Sequence, residues 1–366
     1  MSKRVQIFGA GSIGNHLSHA ARSLGWSVDL CDTDDQALKR TKLEIYPSRY
    51  RHWDEGIRLW HTPHDAPEGP FDLVVIGTPP ESHIELATTA LRGEPGAVLI
   101  EKPLCTPELT GTDELSELSR TLGIPVFTGY DHVVSQATRK VAELVGLADP
   151  GSILTIDVEF REHWGGIFAA HPWLDGPADS YLGYWDRGGG ACGEHSHAAN
   201  LWQYLARVAG AGRVVEVDAS LDYVQEGAAR YDRIALLNLR TETGLIGRVV
   251  QDVVSSPPRK WARLQGDVHI EWHCNRQPGY DVVVDGSGRE PSEHHFRKTR
   301  PDDFIEELKH IEAMLHEERP QESPISLERG LETMLVIAAA HLSEQEKRCV
   351  VIDYSAGYSR EALKLL

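Results

Sequence analysis

The sequence predicts an α/β domain with a doubly wound parallel sheet, followed by an α+β domain with a large, mostly antiparallel sheet. Three observations carry this. A glycine-rich turn follows the first strand and opens a helix. Apolar strands then alternate with helical stretches to about residue 130. Beyond that point strands follow one another with short turns between them.

At 366 residues the chain is too long for one ordinary core, so two domains are expected, at 1–130 and 131–366. Hydrophobic residues make up 41% and charged residues 25%, a globular balance. The formal net charge of -18 argues against nucleic acid or an anionic membrane surface as partner, since either would repel the chain. No apolar run approaches the ~20 residues that span a bilayer. Cys31, Cys105, Cys192, Cys274 and Cys349 are scattered and form no CxxC pair, so neither a zinc knuckle nor a disulfide framework is expected. The opening MSKRVQIFGAG has no leader pattern. A soluble cytoplasmic protein with reduced thiols is the expectation.

The first strand, 4–8, runs into Gly9, Gly11 and Gly14 in GxGxxG spacing. Ile13, Leu17, Ala20, Ala21 and Leu24 then recur at helical spacing. Gly9 permits the tight turn, Gly11 lets backbone approach a pyrophosphate, and Gly14 lets helix pack on strand. The first-turn N–H groups, around Ser12 and Ile13, offer the phosphates an anion site. A second strand, 26–31, ends at Asp32, 18 residues past Gly14, where an acid holds the adenosine ribose hydroxyls. This is a Rossmann dinucleotide pattern. An acid at that place repels a 2′-phosphate, so NAD is predicted over NADP.

Further strands are read at 71–80, 96–104 and 124–132, with helices at 82–91 and 107–122. Ligands of such sheets sit beyond the carboxyl ends of the strands, and Asp32, Thr78, Lys102 and Asp131 all fall there. In the second domain a helix from Ala137 leads out. Strands follow at 152–160, 213–224, 232–241, 244–255, 260–266, 267–274 and 280–286. Between residues 161 and 190 a long loop carries Trp164, Trp173, Trp185, Tyr181 and Tyr184. Its rings can stack on a sugar or base, or pack on the protein itself or on a neighbouring subunit.

The stretch GGGACGEHSHAANL, 188–201, holds a glutamate and two histidines. A helix over 191–210 puts Glu194, His197, Asn200 and Leu201 on one face. His195 is then turned roughly 200° from His197, so the two do not share an ion, and no metal is expected. His273, His294 and His295 read as structural or surface residues, the last two in a loop.

The series GAGSIG, DLVVIGTPPESH, LIEKPL and VFTGYDHVVS resembles the glucose–fructose oxidoreductase / inositol dehydrogenase / MocA (Gfo/Idh/MocA) family. Residues 304–352 look like that family's C-terminal helices and final strand, able to pack back on the Rossmann domain. The resemblance implies an NAD(P)-dependent enzyme acting on ring carbons of sugars, inositols and related polyols. It implies cofactor contacts from Thr78, Pro79, His83, Glu101 and Lys102, with Lys102 beside the nicotinamide and a cis bond before Pro103. It places His197 at the catalytic histidine.

The departures are specific. Gly193 stands where the family has an acid, with Glu194 one residue later. His195 stands for a glycine, Asn200 for a second acid, and Asp131–His132 for an Asn–Arg pair. The expected roles follow. His197 exchanges a proton with the substrate hydroxyl. Lys102 stabilises the alkoxide or polarises the carbonyl. Glu194 orients a histidine or raises its pKa. Asp131, His132, Trp164, Trp185, His195 and Asn200 line the substrate.

The expected function is NAD(H)-dependent hydride transfer with a sugar, glycoside, cyclitol or nucleotide-linked sugar, in a homo-oligomer, dimer or tetramer. The alternatives are a reductase of a non-sugar carbonyl or imine, and a non-catalytic NAD-binding regulator.

Overall fold

The computed structural model describes residues 2–67, 69–149, 151–169, 171, 173–316 and 322–366. The first sheet has six strands: β1 (Arg4–Phe8), β2 (Ser27–Cys31), β3 (Ile57–Trp60), β4 (Leu73–Ile76), β5 (Val98–Ile100) and β6 (Val126–Thr128). Their order is β3-β2-β1-β4-β5-β6, and every neighbouring pair is parallel. The strand sequences explain this. LVVI and VLI are unbroken apolar runs, buried throughout, as strands covered on both faces must be. The strand order reverses between β1 and β4, which opens a crevice above their carboxyl ends.

The sequence pattern assigns no element between β2 and β4. That region forms a helix, Asp35–Arg40, which passes through a π-helical turn, Thr41–Ile45, into Tyr46–Tyr50 and then β3. Asp34 caps its start by accepting the Gln36 N–H at 2.8 Å.

The second sheet has ten strands: β7 (Ile153–Arg161), β8 (Val214–Glu226), β9 (Ala229–Thr241), β10 (Ile246–Asp252), β11 (Arg259–Gly266), β12 (His269–Gln277), β13 (Tyr280–Asp285), β14 (Ser292–Arg297), β15 (Val350–Ile352) and β16 (Leu363–Leu365). The order is β14-β13-β12-β11-β7-β10-β9-β8-β15-β16. Only β7 and β10 pair in parallel. In β8, Val217, Ala219 and Leu221 are buried while Asp218, Ser220 and Asp222 are exposed, so one face is covered and one is open. Helices Gln136–Gly146, Ser196–Val208 and Leu327–Glu346 pack on the covered face.

One sequence reading is corrected. His294 and His295 lie in β14, not in a loop. The strand pairs with β13 through His294↔Val283 and His295↔Val282. Its edge position and polar side chains hide it from an apolar-periodicity search.

The C-terminal part ties the domains together. Helix Arg300–His316 packs on helix Ser12–Ser23, with Phe304 stacked on His16 at 5.0 Å. Beside β6, the Thr128 N–H donates to the Ile325 carbonyl at 2.8 Å. No described helix is long and apolar enough to cross a membrane.

Candidate active site at the seam of the two domains

The glycine turn after β1 is shaped for a dinucleotide. Gly9 has φ +101°, and a Cβ there would lie 2.6 Å from the Gly77 carbonyl oxygen. Space above Gly11 is open. Helix Ser12–Ser23 starts there with no side-chain cap, so its first N–H groups face the opening. Asp32 stands at the lip, its carboxylate accepting the Ala10 N–H at 2.7 Å and the Asp34 N–H at 2.8 Å. Arg49 adds a cation that motif reading missed. Its guanidinium donates to the Ser12 carbonyl at 3.0 Å and to Ser12 Oγ at 2.8 Å. Open glycine, free N–H groups, a nearby guanidinium and a ribose-side acid fit NAD.

After β4, Thr78 Oγ1 meets Ser82 Oγ at 2.7 Å, with Pro79 between them. The structure places His83 between the loops that follow β4 and β5. It is fully buried, with Nε2 2.6 Å from the Thr78 carbonyl and Nδ1 3.1 Å from the Pro103 carbonyl. Burial lowers its pKa, and a neutral ring has a single N–H, so it donates to one of these two carbonyls while the loops after β4 and β5 close on it.

Glu101, Lys102 and Pro103 follow β5, and the Lys102–Pro103 bond is cis. Lys102 Nζ reaches across the seam, donating to the Glu194 carbonyl at 3.0 Å and to Glu194 Oε2 at 3.1 Å. Burial pushes the Glu194 carboxyl up, but the Lys102 ammonium outweighs it, with help from His195, and holds it below the usual range. The Glu194 carboxylate engages Lys102, and its charge also raises the His195 pKa, against the larger lowering effect of burial.

The continuous helix expected over 191–210 is also corrected. Helix Gly190–Glu194 ends at His195, which has φ -99° and ψ 24°, and helix Ser196–Val208 begins anew. Gln251 Nε2 donates to the Ala191 and His195 carbonyls, satisfying oxygens beside the break. Gly193 explains the missing acid. A Cβ there would lie 1.9 Å from the Gly188 carbonyl oxygen, so this backbone admits no side chain at 193.

His197 opens the second helix toward β6. Its Nδ1 lies 3.7 Å from Asp131 Oδ1, and its ring meets His132 edge-on with centroids 4.8 Å apart. Burial lowers its pKa well below the ordinary value, and the charges of Lys102, Lys260 and Arg300 lower it further. Burial holds His195 at about 4, with Lys260 adding to the effect. Both imidazoles are therefore neutral near pH 7. Beneath them, Phe160 of β7 and Trp272 of β12 stack at 6.1 Å, and His132 packs on both. Lys260 of β11 pairs with Glu162 at 2.9 Å. Alternation along β7 and β12 marks the two aromatics as inward. Nothing in sequence marks Lys260.

Behind Asp131 lies a set of buried acids. Burial, then the charge of Asp131, raises the Glu101 and Asp303 carboxyls. Burial, then Glu101 and Asp131, raises Glu307 further. Lys298 answers part of this charge, 3.0 Å from Asp303.

Three residues expected at the substrate make contacts within the chain. Asn200 turns to helix Leu327–Glu346, where its Nδ2 donates to Thr333 Oγ1 at 3.1 Å. Trp164 is buried against Phe168 and Tyr231. Trp185 packs on His341 at 4.8 Å and on Tyr223. The aromatic segment folds into helix Trp164–Ala169 and short 3₁₀ turns, so these rings bury apolar area within the chain.

Comparison with known proteins agrees with this architecture. Residues 3–130 match the oxidoreductase family with NAD-binding Rossmann fold, Gfo/Idh/MocA. The WlbA dehydrogenase from Bordetella pertussis, solved with NADH and UDP-GlcNAcA, is 18% identical with a TM-score of 0.70, covering 96% of this chain and 99% of its own. A levoglucosan dehydrogenase solved with NADH and levoglucosan is 16% identical with a TM-score of 0.74, covering 96% and 99%. An oxidoreductase from Agrobacterium radiobacter, solved with NAD+, L-tartaric acid and magnesium, is 18% identical with a TM-score of 0.73, covering 96% and 98%. At these identities the likeness is one of fold. No curated protein sequence matches the chain. Residues 3–130 thus match the NAD-binding Rossmann domain of the Gfo/Idh/MocA oxidoreductase family, and the second domain has the fold seen in these solved structures.

Proposed function

We propose that the protein is an NAD(H)-dependent dehydrogenase or ketoreductase acting on a ring carbon of a sugar, glycoside, cyclitol or nucleotide-linked sugar. The observation that carries this is the meeting of Lys102, from the end of β5, with the segment bearing Glu194 and His197 from the second domain. The ligands of two similar folds, levoglucosan and UDP-GlcNAcA, support the substrate class.

Bound NAD+ supplies the hydride acceptor. His197, held neutral, takes the proton of the reacting hydroxyl, and the Asp131 carboxylate 3.7 Å away stabilises the imidazolium formed. Lys102 Nζ stabilises negative charge growing on the substrate oxygen. Glu194 holds that ammonium at the seam. Asp32 selects the free ribose hydroxyls of NAD. The open face of the ten-stranded sheet exposes Leu154, Leu236 and Ile246 among its ion pairs, a surface suited to pairing two copies of the chain.

The test is NADH formation across a panel of sugars, cyclitols, nucleotide sugars and non-sugar alcohols, with Lys102→Ala and His197→Ala as controls checked by circular dichroism. Turnover on a polyol that both variants lose is the expected result. Full turnover in either variant removes that residue from the reaction, and turnover only with non-sugar alcohols overturns the substrate class.

A further inference from the structure

Three polar atoms at the seam have no hydrogen-bond partner among the described residues: Asp131 Oδ1, His132 Nδ1 and His197 Nδ1. Asp131 and His132 are 3% and 5% exposed, and the His197 side chain 14%. One ligating atom from each residue lies within 4.8 Å of the others, and Asp131 Oδ1 is 3.7 Å from His197 Nδ1. A buried polar atom is rarely left unmet, so three of them on residues whose ligating atoms lie this close call for a common partner. With each imidazole proton on Nε2, the three atoms are all acceptors. A water molecule has two protons to offer three acceptors, whereas a cation meets all of them.

We infer that Asp131, His132 and His197 form a binding site for a divalent transition cation of the Zn2+ class. Two imidazole nitrogens and one carboxylate oxygen suit such ions, whereas Mg2+ and Ca2+ favour all-oxygen shells. The sequence hides the site because His195, not His132, is the near neighbour of His197 in the chain. Asp131 and His132 follow β6, and His197 lies far along the chain in the helix Ser196–Val208.

One consequence rests on the proton-acceptor reading of His197. A neutral imidazole has a single basic lone pair. Committed to a cation, it cannot take the substrate proton, so cation binding and catalysis exclude each other, and zinc is a reversible inhibitor.

Co2+ added to chelator-treated full-length protein is the direct probe. Visible d–d absorption saturates at one ion per chain, Zn2+ displaces it, and excess Mg2+ does not. Asp131→Asn and His132→Gln, each shown to fold by circular dichroism and to bind NADH by fluorescence, weaken binding by at least about 100-fold, more than losing an outer-shell partner costs. No saturable absorption, or the same absorption in both variants, overturns the site. In the activity assay, Zn2+ inhibits and EDTA restores turnover. Binding without inhibition overturns the exclusion and removes His197 from proton transfer. Absence of binding in an active enzyme overturns the site and leaves the proposed function standing.

Discussion

The Glu194 carboxylate and main-chain carbonyl both receive the Lys102 ammonium, at 3.1 and 3.0 Å. One residue of the second domain thus meets, twice, the lysine that follows β5. The side chains are only 12% and 18% exposed, so deleting the lysine leaves a carboxylate largely buried and uncompensated. Lys102→Ala is expected to lower kcat by about 100-fold or more. It also costs roughly 1–3 kcal/mol of stability. Steady-state kinetics and urea melts measure both, and a variant with unchanged kcat sinks the catalytic role.

The same pair gives a pH dependence with a definite sign. Glu194 has its folded pKa depressed by Lys102 against the opposing effect of burial. Its contribution is therefore present above the unfolded carboxyl value, about 4.3, and is lost as pH falls through the lower folded value. Glu194→Gln is expected to flatten the acid limb of the stability curve below about pH 4 and to leave its neutral-to-alkaline shape unaltered. Superimposable acid limbs for the two proteins would count against the pairing.

Asp232 behaves in the opposite way. Burial pushes its carboxyl up to about 7, even though it accepts the Cys192 N–H at 2.7 Å, and it forms no ion pair among the described residues. The folded value is raised, so the folded state binds the extra proton. Stability declines as pH rises from about 4 and levels off above about 7, by a few kcal/mol at most. Asp232→Asn keeps an oxygen for Cys192 and removes the charge. Thermal melts between these pH values should show a shallower decline in the variant, and parallel curves would exclude the assignment.

At the other end of the cleft, Asp32→Ser is expected to weaken NADH by about 1.5–3 kcal/mol, roughly 10- to 100-fold. The variant should narrow the gap to NADPH. Kinetics with both cofactors decide this, and a wild-type enzyme more efficient with NADPH contradicts the role given to Asp32.

Gly193→Ala should fail for steric reasons alone. With a backbone oxygen 1.9 Å from the new Cβ, the loss of stability is expected at or above the upper end of the ~1–3 kcal/mol typical of overpacking. A variant melting with the wild type would mean that the Gly188 turn yields easily.

The parts legible in sequence share one property: their signal is local. The glycine turn, Asp32 and the apolar runs of β1, β4 and β5 depend on neighbours within a few residues. The parts that were not legible depend on distant partners. The break at His195 is supported by Gln251 of β10. Asp131 approaches His197 only because the helix Ser196–Val208 packs on the turn that follows β6. Trp164 and Trp185 pack on Tyr231, His341 and Tyr223, partners that local spacing does not reveal. Asn200 follows the helical spacing from His197, yet its amide is claimed by Thr333.

The contact between position 193 and the Gly188 carbonyl also bears on redesign. An acid cannot be installed at 193 by one replacement, because the turn must be relaid before any side chain fits. With Glu194 holding Lys102, a variant that shifts the acid by one residue loses either the fold of this turn or the grip on the lysine. The turn therefore works as a latch that admits the acid at 194 alone.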